Sequence, residues 1–184
     1  MADTDADDDR PHPRETFGGF NWGSAFFGWL VATGVAVLLL ALIAAIGGPI
    51  AGSSLGGAKQ AAGAAPTIGI VGGIVLLIAL GIAYFAGGYV AGRMSRFDGG
   101  RQGLGVWIIG LVVTILLAIA GAILGSQFNL LAQLNLPTVP NASSFGIGAL
   151  VTLVLVLVVT LLAAIGGGRA GQRYHRKVDT ALGA

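Results

Sequence analysis

The sequence contains no cysteine, and only 10% of its 184 residues are charged. The absence of cysteine excludes a disulfide framework, a thiolate metal site and an iron–sulfur cluster. Soluble domains usually carry about 25% charged residues, so this chain has too few polar side chains to cover a globular surface. Glycine, by contrast, accounts for 32 residues, and 55% of the chain is hydrophobic. This composition excludes an ordinary soluble domain.

Charge is absent from four long segments, which the sequence predicts to be membrane-spanning helices. They cover about residues 24–46, 67–92, 104–125 and 145–168. Each exceeds the roughly 20 residues that cross about 30 Å of hydrocarbon as a helix. A buried helix of a soluble protein rarely reaches this length without a polar face. We therefore predict an all-α integral membrane protein, a four-helix bundle made of two parallel helical hairpins.

The positive charges predict how these helices are oriented. Nine of the ten Lys and Arg residues lie before the first span, between the second and third, or after the fourth, and Lys59 is the exception. Because cytoplasmic loops carry the excess of basic residues, both termini are predicted to lie in the cytoplasm. The protein is thus expected to be a multi-pass protein of the cell (inner, cytoplasmic) membrane.

The predicted organisation has three parts. Residues 1–23 are expected to form a disordered, acidic cytoplasmic tail with an interfacial lead-in. Residues 24–168 form the transmembrane domain, and residues 169–184 a basic cytoplasmic tail. The acidic start and the length of the first apolar run predict an uncleaved first span and not a signal peptide.

An internal repeat is the most specific feature of the sequence. An offset of 78 residues aligns Trp29 with Trp107, and the two spans match without a gap as far as Gly47 and Gly125. At an offset of 79, the Gly87-Gly88 and Ala91-Gly92 pairs match Gly166-Gly167 and Ala170-Gly171. Each copy would cross the membrane twice, so the two copies are predicted to be parallel and related by an axis along the membrane normal.

Small residues recur at every fourth position in the spans. In lipid, helices associate where small residues let their backbones approach closely. The GxxxG pairs, predicted to be helix-packing positions, are Gly69 and Gly73, Gly88 and Gly92, Gly121 and Gly125, and Gly167 and Gly171. Two interpretations stay open. The glycines pack one bundle together, or they also form a second face for another copy of the chain or for a partner.

A compact polar motif, residues 92–103, separates the second and third spans. Its Asp98-Gly99 pair predicts a tight turn, and Asp98 can pair with a neighbouring arginine. After the fourth span, basic residues follow one helix face. Contact with anionic lipid headgroups, or with a soluble partner, is therefore predicted for Arg93, Arg96, Asp98, Arg101, Arg169, Arg173, Arg176 and Lys177.

Few residues in the chain could carry chemistry. No Asp, Glu, Lys, Arg or His lies inside the four spans, which argues against proton-coupled transport and intramembrane proteolysis. His12 and His175 lie in the two tails without a third ligand, so neither a metal nor a cofactor is predicted. The GxGxxG pattern of residues 166–171 lacks the strand of a dinucleotide-binding unit. No nucleic-acid partner is predicted.

The Trp-led first span, the loop GGYVAGRMSRFDGGRQG and the Ala/Gly/Arg-rich composition resemble uncharacterised small four-span inner-membrane proteins of high-GC bacteria, particularly actinobacteria. The resemblance covers Phe20 to Tyr174. It implies a bacterial cytoplasmic membrane and carries over neither an activity nor a catalytic residue.

We therefore predict a structural or accessory membrane protein, not an enzyme, which associates with itself or with a partner through its glycine faces. The alternative is a pore or carrier for a small uncharged solute, lined by glycine backbone and threonine hydroxyls. A third interpretation is an enzyme that acts on lipid headgroups through Asp98 and the arginines. It is the least favoured of the three, because Asp98 is a single carboxylate without a partner that could act as a base.

Overall fold

The computed structural model contains four helices, each long and apolar enough to cross a membrane, and it is all-helical over the residues that it describes. These are residues 19–54, 58–95, 98–128 and 147–181 for the backbone, and 19–46, 70–95, 98–124, 147–148 and 150–173 for the side chains. The helices are α1 (Trp22–Ser54), α2 (Ala58–Met94), α3 (Gly99–Phe128) and α4 (Ile147–Ala181). The predicted all-α architecture with four membrane-length helices is confirmed.

The helices extend beyond the predicted spans. α1 continues to Ser54 and α2 begins at Ala58, so most of the segment between the first two predicted spans is helical. α4 continues to Ala181, through most of the predicted basic tail. Alanine at the start of α2 favours the helix, whereas the end of α1 is helical although it contains Gly47, Gly48 and Pro49. The predicted acidic tail lies, as far as residue 18, outside the described residues.

α2 and α3 occupy the centre of the helix packing. Each of them contacts the other three helices, and the largest interface joins α2 to α4. α1 and α4 lie on opposite sides and, in the part of the chain that the structure describes, do not contact each other. The start of α1, the end of α2, the start of α3 and the segment around Arg173 in α4 lie together at one end, which we call the arginine end.

Glycine and alanine pack the arginine end tightly. A Cβ atom added to Gly28 of α1 would lie 2.6 Å from the carbonyl oxygen of Gly87 and 2.8 Å from the Cβ of Ala91, both on α2. Ala32, Ala91 and Val106 form a buried cluster at this level, against which Trp29 and Tyr84 pack. These contacts let three helix backbones approach closely.

The opposite end, which we call the far end, is open. A Cβ atom added there to any of four glycines would meet nothing within 4 Å: Gly72, Gly73, Gly121 and Gly148. The same holds for Gly34, in the middle of the apolar span of α1. Large apolar side chains at the far end are also exposed, among them Leu38, Val71, Leu117 and Val151. In a membrane, such surfaces face lipid tails or another helix.

Candidate functional site

The turn between α2 and α3 places charged residues at the arginine end. Asp98 has a φ of 60°, in the left-handed region that Asp tolerates better than most residues. Its carbonyl oxygen accepts hydrogen bonds from the amides of Arg101 (2.9 Å) and Gln102 (3.2 Å). Asp98 and Gly99 therefore lie in a tight turn that starts α3, and the Arg101 side chain is carried on the first turn of that helix.

Gln172 connects α4 to the start of α3 by a hydrogen bond. The Gly99 amide donates to Gln172 Oε1 at 3.1 Å, and the Gln172 side chain is buried. Two close backbone approaches support this hydrogen bond, since a Cβ atom on Gly99 would overlap the Gly168 carbonyl oxygen and one on Gly103 the Ala164 carbonyl oxygen. As a result, the arginines on either side of Gln172 lie beside the first turn of α3.

These two helices line an open recess of about 560 Å³, which we call the basic recess. Its volume is within the range of small-ligand sites. Three arginines and one aspartate give its lining a net charge of +2. The lining residues are Asp98, Gly100, Arg101, Leu104, Ile165, Arg169, Gln172 and Arg173.

Asp98 and Arg101 form the one ion pair of the basic recess in the described residues. Asp98 Oδ2 lies 3.7 Å from Arg101 Nη1, and the side chains are 34% and 72% exposed. At this distance and exposure, solvent screens the pair and it contributes little to stability. Arg101 therefore keeps most of its capacity to interact with an anion.

The structure brings four of the eight predicted charged candidates together in the basic recess: Asp98, Arg101, Arg169 and Arg173. Arg93 lies outside it, with its guanidinium carbon 6.0 Å from the centre of the Tyr89 ring, within reach of a cation–π interaction. Arg96 and the side chains of Arg176 and Lys177 lie outside the described residues.

Four of the eight predicted packing glycines lie in the interface between α2 and α4. A Cβ atom on Gly88 would overlap the carbonyl oxygen of Ala164, and one on Gly92 that of Gly168. From the other side, a Cβ atom on Gly167 would overlap the carbonyl oxygen of Phe85, and one on Gly171 that of Tyr89. These two helices thus touch backbone to backbone over two GxxxG pairs.

The remaining packing glycines belong to the far end. A Cβ atom on Gly73 of α2 or Gly121 of α3 would meet nothing within 4 Å. The side-chain surroundings of their GxxxG partners, Gly69 and Gly125, lie outside the described residues. The same spacing therefore occurs where two helices touch and where they are apart.

Sequence reasoning missed two buried glutamines. Besides Gln172, Gln102 is fully buried: its Nε2 donates to the Gly19 carbonyl oxygen at 3.1 Å and its Oε1 accepts from Ser24 Oγ at 3.0 Å. Each glutamine stands between an arginine and a glycine at the arginine end (Arg-Gln-Gly and Gly-Gln-Arg). An amide beside a packing glycine is the signal that could have identified both.

No protein-family model matches the chain, and the comparisons with curated proteins and with solved structures found no match. The resemblance to actinobacterial four-span membrane proteins accordingly stays a prediction. Any proposal about function has to start from the geometry of the two helix ends.

Proposed function

We propose that the protein is a non-enzymatic, accessory protein of the bacterial cytoplasmic membrane that associates with itself through its far end. Both termini and the turn between α2 and α3 lie in the cytoplasm in this proposal, as the distribution of arginine favours. The observation that supports it is that the glycines differ between the two ends. At the arginine end they lie in close contact with neighbouring helices, whereas a Cβ atom on Gly73 or Gly121 would meet nothing within 4 Å.

The argument for self-association rests on how helices bind each other in lipid. Lipid tails are as apolar as leucine, so helices gain mainly from close backbone contact. The glycines of the arginine end already make this contact within one chain. Those of the far end offer it on α2 and α3, on which GxxxG spacing continues to Gly69 and Gly125. A second copy of the chain supplies helices with the same spacing.

Replacing Gly73 and Gly121 with leucine is expected to weaken self-association at least about tenfold, or ~1.4 kcal/mol. Leucine fills the space that the second backbone would enter, and a Cβ atom at either position would meet nothing within 4 Å inside the chain. The measurement is native mass determination after gentle detergent extraction, over a dilution series.

Gly34→Leu is the matched control, because Gly34 is equally open but has leucine four residues away on both sides and not a small residue. A wild-type chain that is strictly monomeric, or a Gly73→Leu/Gly121→Leu variant that associates like the wild type, would contradict the proposal.

The contacts also support the predicted repeat, which we include in the proposal. Adding 79 to Gly88 and Phe85 gives Gly167 and Ala164, so the Gly88–Ala164 and Gly167–Phe85 contacts are the same contact made in both directions. The Gly92–Gly168 and Gly171–Tyr89 contacts follow the same rule. Between α1 and α3, Ser24 and Gln102 are 78 residues apart. The reciprocity is local, however, since α2 contacts α3 but α1 does not contact α4 in the described residues.

A second candidate, a pore or carrier for a small uncharged solute, is favoured by a cleft of about 500 Å³ between α2 and α4 at the far end. Its lining includes Gly73 and is apolar except for Thr152, whose hydroxyl donates to the Gly148 carbonyl oxygen at 2.9 Å. Towards the arginine end, the Gly88 and Gly92 contacts bring the same two helices together. A solute would have to separate them.

Liposomes distinguish the two candidates. We expect the release of entrapped glycerol or urea from vesicles containing the protein to equal that from empty vesicles, because the packed α2–α4 interface leaves little space for a solute. The measurement is vesicle shrinkage and swelling by light scattering. Faster exchange than in empty vesicles, abolished by leucine at Gly148 in the cleft, would favour the pore and contradict a purely accessory role.

A further inference from the structure

We propose that the basic recess binds the phosphate group of an anionic ligand, and that an anionic phospholipid of the cytoplasmic leaflet carries it. The site lies at the arginine end, at the opposite end of the helices from the glycines proposed for self-association. The lipid as carrier rests on the proposed membrane location, whereas the phosphate site does not depend on self-association.

The arginines of the basic recess come from two helices and line one space. Arg101 lies on the first turn of α3, and Arg169 and Arg173 lie one turn apart on α4. The guanidinium group presents its donors in a planar fork that matches phosphate oxygens. The positive end of the α3 dipole adds to the same field. This arrangement favours a compact anion whose oxygens can be reached from both helices, such as a phosphate group.

Gly100 sets the position of Arg169. A Cβ atom added to Gly100 would lie 3.4 Å from both Cγ and Nε of Arg169. The arginine stem therefore passes over the bare backbone of the first turn of α3, where a side chain longer than that of alanine would compete with it for space. Together with the Gly99–Gln172 hydrogen bond, this contact fixes the distance between the two sources of positive charge.

The apolar part of the basic recess favours a lipid as the carrier of the phosphate. Leu104 follows Arg101 by three residues, and Ile165 precedes Arg169 by four, so each lies about one helical turn closer to the middle of its membrane-length span. The lining is thus charged where a phospholipid would place its headgroup, and apolar where the acyl chains would begin. A soluble phosphate ester would use the arginines alone.

Asp98 is the residue of the basic recess whose replacement should raise the affinity for phosphate. Its carboxylate lies 3.7 Å from Arg101 and weakens the positive field that an anion meets. Asparagine tolerates positive φ as aspartate does, so Asp98→Asn removes the charge and preserves the turn. This substitution is expected to strengthen phosphate binding, whereas loss of an arginine weakens it.

The test titrates the purified full-length protein in detergent micelles with phosphatidylglycerol or phosphatidylcholine of identical acyl chains, and counts bound lipids by native mass spectrometry. We expect phosphatidylglycerol to be preferred, and its affinity to fall roughly fivefold for Arg169→Gln and again for Arg173→Gln. Asp98→Asn should raise the affinity. Arg93→Gln is the matched control, because it removes the same charge from the same end but outside the basic recess.

Glycerol phosphate and inorganic phosphate, added as competitors, identify the carrier. Displacement of the lipid only at far higher concentrations supports the phospholipid. If either soluble anion binds as tightly as the lipid, with the same dependence on Arg169 and Arg173, the phosphate site stands and its ligand is soluble. The proposal is overturned if the two lipids bind equally and phosphate does not bind. It is also overturned if Arg93→Gln lowers the affinity for phosphatidylglycerol as much as the Arg169→Gln and Arg173→Gln substitutions do. Arg169→Lys, which keeps the charge, checks that a loss in Arg169→Gln is not misfolding.

Discussion

Gly88→Leu is expected to force α2 and α4 apart and to lower the free energy of unfolding by about 3 kcal/mol or more. Even a Cβ atom at this position would overlap the Ala164 carbonyl oxygen, which belongs to a helix backbone and cannot move alone. Overpacking a well-packed site usually costs about 1–3 kcal/mol, and leucine adds three further carbon atoms. The measurement is unfolding in mixed micelles with an increasing fraction of sodium dodecyl sulfate.

Gly73→Leu on the same helix provides the matched control, because a Cβ atom there meets nothing within 4 Å and the cleft of about 500 Å³ beside it has room for a leucine. At dilutions that keep the protein monomeric, its unfolding midpoint should stay close to that of the wild type. Gly88→Ala should fall between the two. Equal midpoints for Gly88→Leu and Gly73→Leu would contradict the close approach of α2 and α4.

Gly167→Leu extends the comparison to the repeat. Gly167 contacts the Phe85 carbonyl oxygen in the same way as Gly88 contacts that of Ala164. If the two hairpins are copies, the two leucine variants should be destabilised to a similar extent. A difference of several kcal/mol would show that the two positions are not equivalent.

The number and type of helices could be predicted because the signal is local. A charge-free apolar segment that is long enough to cross the membrane as a helix can form few other structures, whatever the rest of the chain does. The role of each GxxxG pair could not be predicted, because Gly69 and Gly73 have the same spacing as Gly88 and Gly92. Only the separation of the helices at the far end distinguishes an open pair from a closed one, and that depends on all four helices together.

The basic recess likewise could be predicted from the sequence only in part. Its charged residues, Asp98 and Arg101 on one segment and Arg169 and Arg173 on another, are all identifiable from the sequence. Their convergence depends on contacts distant in the sequence, above all the Gly99–Gln172 hydrogen bond. Gln172 carries no charge and lies beyond the apolar span, so neither the search for charge nor the search for hydrophobicity selects it.

Gln102→Leu is expected to lower the free energy of unfolding by about 2–3 kcal/mol, although leucine is apolar and of similar size. Gln102 is among the largest fully buried side chains of the described residues, and its amide joins the start of α3 to the segment that precedes α1. The substitution removes the hydrogen bonds to Gly19 and Ser24, each worth about 1 kcal/mol. The unfolding assay in mixed micelles measures the loss.

Ser24→Ala separates the hydrogen bond from the packing of the amide. Ser24 Oγ is also 2.9 Å from the Asn21 carbonyl oxygen, so without Gln102 its hydroxyl keeps an acceptor, whereas without Ser24 the Gln102 Oε1 loses its donor. Once Gln102 is leucine, Ser24→Ala should therefore cost about 1 kcal/mol less than in the wild-type chain. Strictly additive effects would mean that the two side chains act independently. The junction of α1 and α3 would then depend on glycine and alanine packing alone.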